Sequence, residues 1–83
     1  MNWFQASELG NPAKLKKLHV KNAATRDRKG WTALMYAASS NNVQNVLYLL
    51  EAEKGLHGPS NYTALMLATE RGFLESARIL AAS

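Results

Sequence analysis

The chain contains no cysteine among its 83 residues. This absence excludes a disulfide framework, thiolate metal sites and a cysteine nucleophile, and it fits a reducing compartment. The chain also lacks an apolar run near the roughly 18–20 residues that span a bilayer, and its N-terminus lacks the basic and apolar regions of a signal peptide. We therefore expect a cytoplasmic protein with no membrane partner, a nuclear location remaining open.

Negative charge is scarce in the first third of the chain. The formal net charge is +4; residues 1–30 hold seven Lys or Arg against two acids, whereas residues 31–83 hold three against four. Such an asymmetry can indicate an acidic partner such as nucleic acid. It more often marks a solvated helix face, which is the interpretation that we favour. Weak electrostatic nucleic-acid binding through residues 14–29 is kept as an alternative.

A four-residue segment recurs in the sequence. Thr-Ala-Leu-Met at residues 32–35 returns at residues 63–66, and the same offset of 31 relates Ala6 to Ala37 and Ala37 to Ala68. Three units, at about 1–26, 27–57 and 58–83, then cover a single domain, 1–83. Self-similarity at a period of about 20–50 residues is the signature of stacked repeats.

Each unit is predicted to be a helix–turn–helix. In the middle unit, Thr32 precedes a helically spaced apolar run and suits an N-cap. Asn41 stands where the other units have Gly10 and Gly72, and Gly and Asn tolerate the left-handed conformation that ends a helix. A second apolar series begins at Val43. Helices of about 8–10 residues are marginal alone, so they must bury their faces against neighbouring units.

Polar connectors separate the helix pairs. Residues 27–30 have the residue types of a type I turn, and residues 58–61 repeat this turn chemistry with Pro59 at the second position. Met1 stands in the place of Thr32, so the first unit has no preceding turn. Asn2 and Gln5 form a substitute capping box there.

These residues resemble the ankyrin repeat. The matching positions are Asp27, Gly30, Thr32, Leu34, Ala37, Ala38, Val46, Leu49 and Leu50, and the third unit matches through Thr63, Leu65, Ala68, Gly72, Ile79 and Leu80. The resemblance implies an all-α solenoid of stacked helix–turn–helix units with projecting β-turn loops. The sequence departs from the usual signature: Ala33 and Ala64 replace its Pro, Met35 and Met66 replace its His, and the period is 31 instead of 33. The leucines and methionines of the repeated segment are predicted core residues.

The resemblance implies a non-enzymatic protein-interaction module or scaffold that binds another protein through its concave face and turn tips. No catalytic residue, metal site or cofactor is expected. The partner-binding candidates are Arg28, Lys29, Trp31, Ser39, Ser40, Pro59, Ser60, Tyr62, Thr69 and Glu70. Aromatic residues are preferred interface anchors, but Trp31 and Tyr62 recur at equivalent positions and could instead pack along the stack.

Two alternatives concern the wider context of the chain. It could be a regulatory or targeting segment of a larger protein, such as a kinase-linked ankyrin protein. At the C-terminal end, no following unit covers Leu74, Ile79 and Leu80. Self-association or further repeats at that end would cover them.

Overall fold

The computed structural model describes residues 2–83, which form six α-helices and no strand. The helices are α1 (Trp3–Glu8), α2 (Pro12–Asn22), α3 (Ala33–Ser39), α4 (Val43–Glu53), α5 (Ala64–Glu70) and α6 (Leu74–Ala82), with a 3₁₀ turn at Pro59–Asn61. Successive helices pair, and the pairs stack so that α1, α3 and α5 form one row and α2, α4 and α6 a second. The predicted all-α helix–turn–helix stack is confirmed. The unit bounds stay a prediction, and Met1 lies outside the described residues.

Side-chain caps fix where the first helix of each pair begins. Thr32 Oγ1 accepts a hydrogen bond from the backbone N–H of Met35 at 3.2 Å, and Thr63 Oγ1 accepts one from Met66 at 3.1 Å. In the first pair, the predicted capping box is present: Gln5 N donates to Asn2 Oδ1 at 2.8 Å and Asn2 N donates to Gln5 Oε1 at 3.0 Å. The polar residues predicted to cap these helices therefore do so.

A left-handed residue separates the two helices of each pair, as predicted. Gly10, Asn41 and Gly72 have φ angles of +77°, +57° and +76°. Because this residue follows a capped start so closely, the first helices have only six or seven residues, whereas the second helices have nine to eleven. The predicted uniform length of about 8–10 residues was wrong for that reason.

The two connectors between pairs form equivalent turns and differ in one further hydrogen bond. At the first, Gly30 N donates to Asp27 O at 2.9 Å, as predicted. At the second, the 3₁₀ turn Pro59–Asn61 starts from its N-cap Gly58, so Pro59 takes the second turn position, as predicted; in addition, Tyr62 N donates to Pro59 O at 3.1 Å. Asp27 Oδ1 accepts the N–H of Trp31, but Gly58, the equivalent of Asp27, has no side-chain acceptor. The N–H of Tyr62 therefore bonds to the backbone instead.

Small residues allow the first row of helices to pack closely. The equivalent alanines Ala6, Ala37 and Ala68 are all fully buried, and interaxial distance depends on the side chains at the contact. Met35 is 0% exposed and packs beside Gly58, where a Cβ atom would lie 2.7 Å from Met35 Cε. Its equivalent Met66 is 48% exposed, so the prediction that both methionines are core residues was wrong for Met66. No turn among residues 2–83 covers Met66 as Gly58 covers Met35.

Candidate functional site

A row of aromatic rings lies across the first two helix pairs. The ring centroids of Phe4 and Tyr36 are 6.0 Å apart, and those of Tyr36 and Trp31 are 4.9 Å apart, with tilted planes in both contacts. Phe4 and Trp31 pack against the buried core but remain half-buried, as Tyr36 does. The row therefore presents part of its apolar area at the surface.

A surface pocket adjoins this row and has a volume of about 170 Å³. We call it the aromatic pocket; its lining residues are Glu8, Lys29, Trp31, Tyr36, Ser39 and Arg71. These residues come from all three helix pairs and from the connector before α3. The stacking of the pairs, rather than any one of them, creates the pocket.

Asp27 holds the connector beside the pocket. Its Oδ1 accepts the backbone N–H groups of Lys29 and Trp31, each at 3.0 Å, and its Oδ2 accepts the hydroxyl of Tyr36. Burial acts to raise the pKa of Asp27, but these hydrogen bonds outweigh it and the pKa is lowered. Burial, followed by the bond to Asp27, raises the pKa of Tyr36 to about 12. At neutral pH, Asp27 is therefore ionised and Tyr36 is protonated.

The third pair repeats this arrangement with different residues. The hydroxyl of Tyr62 donates to Glu70 Oε2, and this bond raises the pKa of Tyr62. Tyr62 is the equivalent of Trp31, and Glu70 the equivalent of Ser39. A tyrosine hydroxyl and a carboxylate thus link the connector to the following helix in both pairs.

The structure brings some of the predicted contact residues together and leaves others apart. Lys29, Trp31 and Ser39 line the aromatic pocket, and Tyr62 pairs with Glu70. The remaining candidates are exposed and do not line it: Arg28, Ser40, Pro59, Ser60 and Thr69. Trp31 and Tyr62 each pack partly against the core. The role of all ten as partner contacts stays a prediction.

Sequence reasoning missed half of the pocket lining, namely Glu8, Tyr36 and Arg71. A signal for Tyr36 was present, because it directly follows the repeated segment at a position that varies between units, with Leu67 as its equivalent. A residue type that differs between units points to a role particular to its own unit. Glu8 and Arg71 gave no such signal, since only the stacking of the pairs brings them beside Trp31.

A buried carboxylate, which the sequence did not reveal, lies between the first two pairs. Glu53 is 0% exposed; its Oε1 accepts the N–H of Leu34 at 2.8 Å, and its Oε2 accepts the N–H of Ala24 at 3.0 Å and Nε1 of Trp3 at 3.3 Å. Burial raises the pKa of Glu53, opposed by these donors and by the nearby His19. Because partner molecules cannot reach it, Glu53 is a structural residue.

Two kinds of site are absent from the described chain. Residues 2–83 contain no group of three or more His, Asp or Glu side chains placed to hold a metal ion. Within the same residues, every helix is too short or too polar to cross a membrane.

Comparison with known proteins agrees with the repeat architecture. A search of curated proteins found no match. The family model of ankyrin repeats matches residues 3–83 with three copies. Since this match spans nearly the whole chain and coincides with three stacked helix pairs, the chain belongs to the ankyrin repeat family.

Proposed function

We propose that this chain is a non-enzymatic interaction module that binds another protein through the aromatic pocket and the neighbouring turn tips. Ankyrin repeats are generally protein–protein interaction modules. The observation that carries the proposal is the half-buried row of Phe4, Tyr36 and Trp31 beside exposed charged side chains. Aromatic and arginine side chains are enriched in the centres of protein interfaces.

The test compares variants on two sides of the stack. Arg28→Ala with Lys29→Ala changes the exposed tip beside the pocket, and Lys16→Ala with Lys17→Ala removes two exposed cations from α2 as a matched control. Each variant, with its fold checked by circular dichroism, is used to capture partners by crosslinking in native cells. We expect the tip variant to lose the partners of the wild type and the α2 variant to retain them.

The converse result would contradict the proposal. If the α2 variant loses the partners while the tip variant retains them, the second row of helices is the binding surface. Trp31→Ala is a less suitable first variant, because its ring packs on Tyr36 and against the core. Removing this ring would change the stability of the fold as well as partner binding, so the two effects could not be separated.

A further inference from the structure

The cations of the aromatic pocket lack ion-pair partners. Among residues 2–83, the one ion pair within 4 Å joins Glu51, on α4, and Lys54, just after α4. Lys29 and Arg71 both line the pocket and are exposed. Their positive charges are therefore available to a ligand.

Tyrosine hydroxyls occupy the nearest carboxylates along the chain. Asp27, two residues from Lys29, accepts the hydroxyl of Tyr36, and Glu70, next to Arg71, accepts that of Tyr62. Asp27 also accepts two backbone N–H groups. These internal bonds already engage both carboxylates, and neither carboxylate forms an ion pair with Lys29 or Arg71.

We infer that the aromatic pocket binds a peptide segment of a partner protein in which an acidic side chain adjoins an aromatic or aliphatic one. This inference rests on the proposed function and specifies the partner. The acidic group pairs with Lys29 and Arg71, and the apolar group packs on the exposed parts of Trp31 and Tyr36. Complementary charge at such a surface supplies specificity and a faster association rate.

A nucleic acid fits the pocket less well. Single-stranded nucleic acid needs a positive groove along its backbone and aromatic faces on which bases stack. Here Glu8 lines the same pocket as Lys29 and Arg71, so the three charges sum to +1, which suits one acidic side chain but not a run of phosphates. The faces of Tyr36 and Trp31 are also partly covered, because the two rings pack against each other.

Selection from a library of random displayed peptides tests the inference without a known partner. Three proteins are used: the wild type, Lys29→Glu with Arg71→Glu, and the control Lys16→Glu with Lys17→Glu, which reverses two exposed cations on α2. Enriched peptides are synthesised with a fluorescent label and titrated by anisotropy. A labelled oligouridylate is titrated in parallel.

We expect the wild type to enrich peptides with Asp or Glu next to an apolar residue. Their affinity should fall at least about tenfold with the pocket reversal and less than about twofold with the α2 reversal, and added salt should weaken binding. Enrichment without acidic residues, or equal binding by the pocket reversal, would overturn the inference. Tighter binding of oligouridylate than of any peptide would also overturn it.

The two proposals fail differently. Suppose that the enriched peptides lack acidic residues but bind the Arg28→Ala with Lys29→Ala variant more weakly than the wild type. The inference about an acidic partner is then wrong, whereas the proposed binding surface is right. If the same peptides bind every pocket and tip variant as tightly as the wild type, both proposals are wrong.

Discussion

Trp3 and Glu53 are 50 residues apart in sequence, yet the indole Nε1 of Trp3 donates a hydrogen bond to Glu53 Oε2 at 3.3 Å. Glu53 thereby joins the start of α1, the end of α4 and, through Leu34, the start of α3. Its three partners are all N–H donors, which a carboxylate can accept with both oxygens. One buried acid therefore adds to the hydrogen bonds between these pairs that Asn42 and Asn45 donate to Ser7 O.

Replacing Glu53 by Gln should destabilise the fold. The variant keeps the shape of the side chain but turns one acceptor into an NH₂ group that faces an N–H donor. Leaving a buried donor unsatisfied costs about 1–3 kcal/mol. Urea unfolding followed by circular dichroism measures this loss. The matched control is Glu51→Gln, whose side chain is 89% exposed in a surface ion pair and should cost less than about 1 kcal/mol. Equal losses in both variants would contradict the role of Glu53.

Replacing Ala24 by Gly should stabilise the protein. Ala24 has a φ of +67°, and its equivalent one period later is Gly55, with a φ of +84°. A left-handed conformation costs a residue with a Cβ roughly 1–2 kcal/mol. Glycine removes that strain and keeps the N–H that Glu53 accepts, although the freer unfolded chain offsets part of the gain. We expect the midpoint of urea unfolding to rise.

Ala23→Gly is the control for this change. Ala23 precedes Ala24, has a φ of −56° and packs against the core. Glycine there relieves no strain and removes a methyl group, so the unfolding midpoint should fall. A shift of both variants in the same direction would show that the backbone strain at Ala24 is not the cause.

Equivalent methionines should respond differently to truncation. Met35 is 0% exposed and Met66 is 48% exposed. Met35→Ala should cost about 2–5 kcal/mol, since it leaves a cavity beside Gly58. Met66→Ala should cost less than about 1 kcal/mol. Thermal unfolding of the two variants under one set of conditions measures the difference, and similar costs would mean that Met66 is covered in solution.

The stability of the protein should fall at alkaline pH because of Tyr36. Its pKa is 10.0 in the unfolded chain and about 12 in the folded chain. Between these values the unfolded state loses the proton first, so the free energy of unfolding decreases as pH rises from 10 towards 12. Tyr36→Phe should flatten that part of the profile. The measurement is urea unfolding at several alkaline pH values, and equal slopes for the two proteins would refute the assignment.

Local structure could be predicted well from single positions. Thr32 and Thr63 cap their helices, and Gly10, Asn41 and Gly72 are left-handed, because each effect depends on a residue and its near neighbours. The position of Pro59 in its turn was also predicted, but the further bond from Tyr62 N to Pro59 O was not. That bond depends on Gly58 lacking the acceptor that Asp27 supplies, which becomes visible only when the two connectors are compared in structure.

The candidate site was predicted in part. Lys29, Trp31 and Ser39 were identified from their positions in the repeat, and they line the aromatic pocket. Glu8 and Arg71 were not, since each comes from a different helix pair. When a neighbouring unit contributes a side chain to the pocket, the sequence around Trp31 carries no sign of it.

The sequence by itself determined the repeat, the helix–turn–helix unit and the family, because period, caps and left-handed residues are local features repeated at a fixed offset. Tertiary structure decided which equivalent residues differ in role. Met35 is buried and Met66 is half-exposed because one has a neighbouring turn over it. It also decided that Tyr36 donates to Asp27 and that Lys29 forms no ion pair. The burial of a side chain and its ion pairing depend on residues of neighbouring units, so the sequence of a single unit does not determine them.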